Sequence, residues 1–382
     1  MLFDRIKSLA RHTAVYGVGD FLRVIISAAL LPVYARLLSP EENGVRDLAF
    51  AFIAFSTVFY SLGINQALIR HLSAEEDPVV LRRRFSSAFW TISGIALLLA
   101  GGVWFAASPL ASLLFASGGK TQWADLFGLI AAIIFLDAIG EPLFTLCRAR
   151  KRSSLYAGVR LVQHTIQIGL TIYLIAGLGY GVRGVFWSNV VSSAFAVAAL
   201  LPFGLASLRI EYAPRAVREF LRFGLPFVPS ALALLVIELS DRFMVRVFLG
   251  LDATGVYGIS YKFALPMLLV VRALRAAWAP AVLSVPDVGE AKQVCARVTT
   301  YYAAIGGFLV LGLASFPREL ILLVAWDRAP AYLPGQDVIA LVALAYLCNG
   351  FYVIMTAGVY VEGRSRILPA IVGAGAILNV AM

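Results

Sequence analysis

The sequence LLSPEENGV at Leu37–Val45 has a second, diverged version further along the chain, FLGLDATGVY at Phe248–Tyr257. In both, a long apolar segment gives way to a short polar one that contains a glycine, and the two glycines, Gly44 and Gly255, lie 211 residues apart. Two other pairs have spacings of 207 and 212 residues: Gly17 with Gly224, and Arg152 with Arg364. Internal repeats of this kind build two-halved membrane folds, so the spacing predicts a chain of two similar halves.

Composition places the chain in a membrane. Of its 382 residues, 60% are hydrophobic and only 14% are charged, and the mean hydropathy is +0.85. A soluble domain carries about 25% charged residues and cannot bury so much apolar surface. The net charge of +10 comes from basic residues clustered between apolar segments, which is typical of topology signals and of contact with anionic headgroups. The sequence therefore predicts an integral membrane protein without a nucleic-acid partner.

Eleven segments are apolar over about the 20 residues that a helix needs to cross a bilayer. They lie at 15–36, 47–68, 86–107, 124–146, 154–176, 183–205, 222–247, 255–276, 298–315, 337–358 and 364–382. After the ninth segment and Pro317, the short apolar stretch Glu319–Trp326 predicts a re-entrant or interfacial piece. The sequence thus predicts an all-α membrane protein of about eleven helices.

The repeat also predicts the organisation into domains. Residues 1–207 are expected to form an N-terminal six-helix bundle, 208–222 a charged cytoplasmic linker, and 223–382 an incomplete C-terminal bundle. The sixth helix begins near Arg183, and its counterpart 211 residues later would begin beyond Met382. We therefore expect the sequence to be truncated at its C-terminus.

Lysine and arginine are enriched in cytoplasmic loops. With the N-terminus placed in the cytoplasm, 21 of these residues fall on the inner side and 7 on the outer side, which predicts that orientation. The first residues, MLFDRIKSLARHTA, form a basic amphipathic lead-in and lack the apolar core and cleavage site of a signal peptide. The three cysteines have no paired spacing and are interpreted as small apolar fillers.

Charged side chains within apolar helices are costly and mark candidate functional sites. Asp20 and Arg23 lie three residues apart on one face of the first helix. Arg23 is a candidate for binding an anionic substrate, and Asp20 for ion coupling; a structural ion pair is the alternative. Asp137 and Glu141, four residues apart on the fourth helix, can share a proton or a cation, or they bond to neighbouring helices.

The second half supplies two further cations. Arg242 follows Asp241 on the seventh helix, and Lys262 lies in ISYKFALP on the eighth. Both are candidate substrate-binding residues, because their helices are the counterparts of the first and second in the repeat. The alternative is anchoring at the outer interface by snorkelling. A polar stripe on the fifth helix is interpreted as helix-to-helix contact; it comprises Arg160, His164 and Gln167.

The sequence contains no recognisable enzymatic constellation. It has no phosphate-binding loop of an ATPase, no residues at metal-ligand spacing and no cofactor motif. It therefore predicts neither an enzyme nor a bound cofactor or metal. A membrane chain of two repeated halves favours a transporter with a pathway between them.

The block VYGVGDFLRVIISAALLPVYARLLSPEENGV resembles the opening of the polysaccharide transporter family of the MOP flippase superfamily, with Asn43 where tyrosine is common. A later block matches the seventh and eighth helices of that family and keeps its Asp-Arg pair at Asp241–Arg242 and its GVYxxxYK stretch at Gly255–Lys262. The resemblance implies a MOP/MATE-like fold of two pseudo-repeated six-helix bundles around a central cavity. Helices one, two, seven and eight would line that cavity.

The resemblance also implies flipping of isoprenoid-pyrophosphate-linked oligosaccharides across a bacterial cytoplasmic membrane, for O-antigen, capsule or exopolysaccharide synthesis. The three candidate cations would then lie near the pyrophosphate, whose negative charge they suit. Without an ATPase motif, a proton or sodium gradient is the expected drive, coupled through one of the three acidic candidates. The expected partners are the lipid-linked substrate, membrane lipid, and polysaccharide polymerase or ligase machinery.

Three alternatives stay open at this point. A multidrug or toxin extruder has the same fold, but it favours acidic cavity residues because its substrates are often cations. A membrane glycosyltransferase, polymerase or ligase usually carries a large outer loop, which this sequence lacks. The third is a scaffold within a synthesis complex that transports nothing.

Overall fold

The structure is a computed structural model that describes residues 29–75, 77–115, 123–283, 288–361, 371–375 and 377–378. In these ranges all regular structure is helical and no strand occurs. The helices in chain order are α1 Leu31–Leu37, α2 Pro40–Ser61, α3 Ile64–Ala74, α4 Pro78–Phe105, α5 Ala107–Phe115, α6 Leu126–Ala149, α7 Ser153–Ile172, α8 Gly181–Leu205, α9 Pro214–Gly224, α10 Phe227–Leu249, α11 Leu251–Lys262, α12 Leu265–Leu283, α13 Val288–Ser315, α14 Pro317–Ala325, α15 Ala329–Tyr332 and α16 Gln336–Val361. Most of the first predicted helix lies outside the described residues.

The predicted class is confirmed: this is an all-α integral membrane protein. Within the described ranges, six helical segments are long and apolar enough to cross a membrane, and up to nine are if each of three bent helix pairs is one span. The number of separate helices exceeds the predicted eleven because spans are bent and because short helices connect them.

Three of the predicted spans are bent pairs. The pair α2 and α3 bends by 54°, α9 and α10 by 48°, and α11 and α12 by 53°. At the first bend Leu62 and Gly63 have positive φ angles of 44° and 72°, which end a right-handed helix. At the second bend Pro226 follows Leu225 and lacks the backbone N–H that a continuous helix needs.

The repeated phrase marks the starts of two helices. The Ser39 N–H donates to Glu42 Oε2 at 2.9 Å, and the Glu42 N–H donates to Ser39 Oγ at 3.1 Å. This reciprocal pair is a capping box, and Pro40 takes the first helical position. In the second version Gly250, with φ 92°, precedes Leu251 at the start of α11. Both helices therefore begin earlier than the predicted residues 47 and 255.

The described residues fall into two compact units. Unit 1 is Val45–Asp241, and unit 2 combines residues 29–44 with the chain from Arg242 onwards. In unit 1, α6 packs against both α4 and α8, and α9 packs on α3 and α4. In unit 2, α16 packs on α12 and α13 around Trp278 and Tyr302. The predicted bundles at 1–207 and 223–382, and the linker at 208–222, divide the chain by its repeat and stay a prediction.

The two glycines of the repeated phrase contact each other inside unit 2. A Cβ atom on Gly44 would collide with the Leu251 carbonyl oxygen, and one on Gly255 would collide with that of Pro40. The first turns of α2 and α11 therefore cross with their backbones touching, which only glycine allows at these two positions.

Unit 2 also contains the short apolar stretch that follows Pro317, which forms helix α14. Arg36 donates from Nε to the Val324 carbonyl at 2.8 Å and from Nη2 to the Leu323 carbonyl at 3.0 Å. The guanidinium thereby satisfies two carbonyls at the C-terminus of α14, where a cation is favoured.

Candidate functional site

The acidic pair predicted on the fourth helix lies on α6 in unit 1, and both carboxylates point at neighbouring helices. Ser193 on α8 donates its hydroxyl to Asp137 Oδ1 at 2.8 Å. One turn along α6, Glu141 Oε1 accepts from Arg160 Nη2 on α7 at 2.6 Å. Asp137 and Glu141 also act electrostatically on the buried hydroxyl of Tyr60 on α2. We call Asp137 and Glu141, together with Ser193, Arg160 and Tyr60 around them, the acidic cluster.

Further contacts fix the orientation of the Arg160 side chain, the partner of Glu141. Its guanidinium carbon lies 3.6 Å from the ring centroid of Phe144, and Nη1 donates to Gln163 Oε1 at 3.2 Å. Stacking on an aromatic face and charge-assisted hydrogen bonds suit a guanidinium in an apolar setting. Arg160 belongs to the polar stripe that the sequence assigned to helix contact, and it does join α7 to α6.

The two carboxylates of the acidic cluster therefore differ in chemistry. Glu141 has a counter-cation within hydrogen-bond distance, so its negative charge is balanced. Among the described residues, Asp137 has only the neutral hydroxyl of Ser193 as a hydrogen-bond donor. Arg160 also acts on Asp137, but only through space and without an ion pair. Of two carboxylates in a membrane helix, the one without an ion pair gains more from binding a proton or a metal cation.

The predicted cations of the second half lie near aromatic side chains in unit 2. Arg242 on α10 lies over the ring of Tyr261, with its guanidinium carbon 4.8 Å from the centroid. Tyr346 on α16 donates its hydroxyl to the Tyr261 hydroxyl at 3.0 Å, and the ring of Tyr257 lies 5.8 Å from that of Tyr261. We call Tyr257, Tyr261 and Tyr346 the tyrosine cluster.

Lys262 directly follows Tyr261 and is the last residue of α11, just before the 53° bend. The C-terminal end of a helix carries partial negative charge from its free carbonyls, so a lysine is favoured there. Its half-buried position also puts a positive charge one residue from the tyrosine cluster. The structure thus places Arg242 over the ring of Tyr261, with Lys262 next to this tyrosine along the chain.

Two predicted site residues, Asp20 and Arg23, lie outside the described residues.

Other residues of the site were not found from the sequence. Ser193 and the tyrosine cluster were not predicted as site residues, because serine and tyrosine are common in membrane helices. The available signals were the helical spacing of Tyr257 and Tyr261 and their place in the GVYxxxYK stretch. In the described ranges, no group of three or more His, Cys, Asp or Glu side chains is arranged to hold a metal ion.

Comparison with known proteins agrees with the resemblance. The sequence model of the family described as "Polysaccharide biosynthesis protein" matches residues 33–327. The succinoglycan biosynthesis transport protein ExoT of Rhizobium meliloti is 26% identical over 234 residues, which are 61% of this chain and 45% of ExoT. This chain therefore aligns with less than half the length of that relative.

Among solved structures, the fold is similar to that of an inward-facing multidrug resistance MATE family transporter of the MOP superfamily. The TM-score is 0.71 at 13% identity, over 93% of this chain and 83% of that one. For a MOP superfamily transporter from Pyrococcus furiosus, the TM-score is 0.58 at 15% identity, over 98% of this chain and 85% of that one. For the Vibrio cholerae MATE transporter VcmN in the bent form, the TM-score is 0.58 at 15% identity, over 96% of this chain and 86% of that one.

These structures establish the MATE-type fold, and the family match spans well over half of the sequence. The chain belongs to the family described as polysaccharide biosynthesis protein.

Proposed function

We propose that this protein flips isoprenoid-pyrophosphate-linked oligosaccharides from the inner to the outer leaflet of a bacterial cytoplasmic membrane, for the synthesis of a surface polysaccharide. The observation that carries the proposal is the family match over residues 33–327. The name of ExoT, a transport protein of succinoglycan biosynthesis, supports the same class of substrate. The protein acts as a transporter rather than as an enzyme, with its N-terminus in the cytoplasm.

The substrate would be bound by the cations and the tyrosine cluster of unit 2, together with Arg23. A pyrophosphate carries several negative charges, which a guanidinium and an ammonium group bind well. Aromatic rings provide flat apolar faces for the sugar rings, and their hydroxyls provide hydrogen-bond partners. Arg242 over Tyr261, with Lys262 adjacent, combines both requirements within a few residues.

Ion coupling is assigned to Asp137. Its carboxylate forms no ion pair among the described residues and feels Arg160 only through space, so binding a proton or a sodium ion there removes a costly charge. Glu141 is balanced by Arg160 and serves to hold α6 against α7. Asp20 is a further candidate on sequence grounds alone. The transport step is alternating access, in which the two halves rock about the linker at 208–222.

The test deletes the gene in its own bacterium and measures lipid-linked glycan on each leaflet together with the surface polysaccharide. We expect the glycan to accumulate on the cytoplasmic leaflet, and the polysaccharide to return when the gene is supplied on a plasmid. If the deletion strain instead has normal surface polysaccharide and increased drug sensitivity, the result supports a multidrug extruder and contradicts the proposal.

A point variant separates transport from a scaffold role in a synthesis complex with polymerase or ligase machinery. Arg242→Gln should reduce export while the protein level in the membrane stays normal. Arg246→Gln, one turn further along α10, removes the same charge and serves as the matched control. Full export by Arg242→Gln would contradict the assignment of this residue to the substrate.

A further inference from the structure

Helix α9 in unit 1 presents a stripe of arginines to its surroundings. Val217, Phe220 and Gly224 are buried against α3 and α4. On the opposite face of the helix, three, four and seven residues apart, the exposed side chains are Arg215, Arg218 and Arg222. An eleven-residue helix packed on one side thus carries all its positive charge on the other.

The arginines of this stripe have no ion-pair partner in the described part of the chain. None of the three arginines forms an ion pair with any residue in the described ranges. The acidic residue of α9, Glu219, lies 4.0 Å from Arg84 on α4 instead. Three exposed guanidinium groups without an ion pair outnumber the exposed carboxylates of this segment, Glu211 and Glu219, so the stripe is suited to an external anion.

Apolar side chains lie exposed beside the stripe. Ile210 is 98% exposed and Tyr212 is 56% exposed. This exposure belongs to an anchored segment, because the N–H groups of Arg209 and Ala213 donate to the hydroxyls of Ser86 and Ser87 on α4, at 2.8 and 2.9 Å. The segment is fixed to the helix bundle, and its apolar side chains are held outward.

A half-exposed tryptophan lies at the same level. The Trp90 indole N–H donates to the Arg209 carbonyl at 2.9 Å, while 42% of the side chain is exposed. Tryptophan and tyrosine are enriched where a membrane protein passes through the headgroup region. An exposed pair such as Trp90 and Tyr212 is therefore typical of a segment at a membrane–water interface.

We propose that the surface formed by Arg215, Arg218 and Arg222 with Ile210 and Tyr212, the linker surface, binds anionic phospholipid headgroups. Guanidinium groups attract the lipid phosphates, and the apolar side chains enter the acyl-chain boundary beneath them. Apolar side chains of this kind distinguish the surface from one that binds a soluble anion. The inference does not depend on the transported substrate.

The experiment compares lipid binding by three forms of the purified whole chain in mild detergent. Each is titrated with phosphatidylglycerol and with phosphatidylcholine, and bound lipid is counted by native mass spectrometry. The first form is the unchanged protein, and the second carries Arg215→Gln, Arg218→Gln and Arg222→Gln. The third is a charge-matched control with three exposed arginines of unit 2 replaced by glutamine: Arg272, Arg318 and Arg328.

We expect the linker variant to lose phosphatidylglycerol affinity at least about fivefold, the factor that one basic residue supplies near an anionic surface. The control variant should bind it like the unchanged protein, and binding to the unchanged protein should weaken as salt rises. Phosphatidylcholine affinity should be equal in all three forms, which also shows that the linker variant is folded.

Two results would overturn the proposal. Equal losses in the linker variant and the control would mean that lipid responds to total charge and not to this surface. The second result would come from a parallel titration with farnesyl pyrophosphate. If the linker variant loses affinity for farnesyl pyrophosphate only and keeps its affinity for phosphatidylglycerol, the surface binds the prenyl substrate.

Discussion

Asp137 and Glu141 lie one helical turn apart, yet the helices around them give them opposite surroundings. Glu141 meets the guanidinium of Arg160, and Asp137 meets the hydroxyl of Ser193. Both acidic residues could be selected from the sequence, because charge inside an apolar segment is conspicuous. Their partners could not, because the contacts depend on the packing of α6 against α7 and α8, which adjacent sequence does not encode.

Replacing Glu141 by glutamine should destabilise the protein. The variant leaves the Arg160 guanidinium in an apolar setting without its counter-charge, and the loss of a charge-assisted hydrogen bond costs about 2 kcal/mol. Thermal unfolding of the purified protein in detergent measures the effect. The double variant Glu141→Gln with Arg160→Gln should recover part of the lost stability, because it removes the unpaired charge. A single variant as stable as the unchanged protein would show that the pair is not structural.

At the crossing of α2 and α11, a single methyl group should be enough to disturb unit 2. Gly255→Ala places a Cβ against the Pro40 carbonyl oxygen, and the backbones must move apart. Overpacking of this kind costs about 1–3 kcal/mol. Gly307→Ala on α13 is the matched control, because its Cβ would meet no atom within 4 Å. A lowered unfolding temperature for Gly255→Ala alone is the expected result, and equal temperatures would contradict it.

At the scale of elements, local signals in the sequence account for most of the helices and few of their bends. The start of α2 can be predicted from its sequence, because Ser39 and Glu42 form a capping box and Pro40 takes the first helical position. The bend at Leu62 has no comparable signal, since leucine rarely adopts a positive φ angle. That conformation is imposed by tertiary packing: the backbone of the adjacent Gly63 touches that of Gly224, too closely for a Cβ atom on either.

The capping box gives a prediction for α2. Ser39→Ala removes the acceptor for the Glu42 N–H and should destabilise the protein by about 1 kcal/mol. Ser39→Thr keeps a hydroxyl at the same position and should unfold close to the temperature of the unchanged protein. Calorimetry or a thermal scan in detergent distinguishes the two variants. If alanine and threonine behave alike, the cap does not stabilise the helix.

At the scale of the whole molecule, composition was sufficient to predict a helical membrane protein, and the resemblance to a known family supplied its MATE-type fold. Hydropathy reports on lipid exposure, which is a property of whole segments and needs no knowledge of partners. Gly44 and Gly255 give the repeat a physical meaning, because two helices cross in contact at these residues. The functional site was predicted only as a set of charges. Ser193 and Tyr346 carry no signal of their own, and the pattern of Tyr257 and Tyr261 did not by itself indicate a site.

The coupling role of Asp137 predicts how the molecule uses an ion gradient. In proteoliposomes that contain a lipid-linked oligosaccharide, the unchanged protein should export faster when a proton or sodium gradient is imposed than without one. Asp137→Asn keeps an oxygen that accepts from Ser193 but cannot bind and release a proton, so its export rate should be the same with and without the gradient. Ser193→Ala is the control, because it removes the hydrogen bond and leaves the carboxylate. If Asp137→Asn still responds to the gradient as the unchanged protein does, the coupling ion binds elsewhere, and Asp20 becomes the residue to replace.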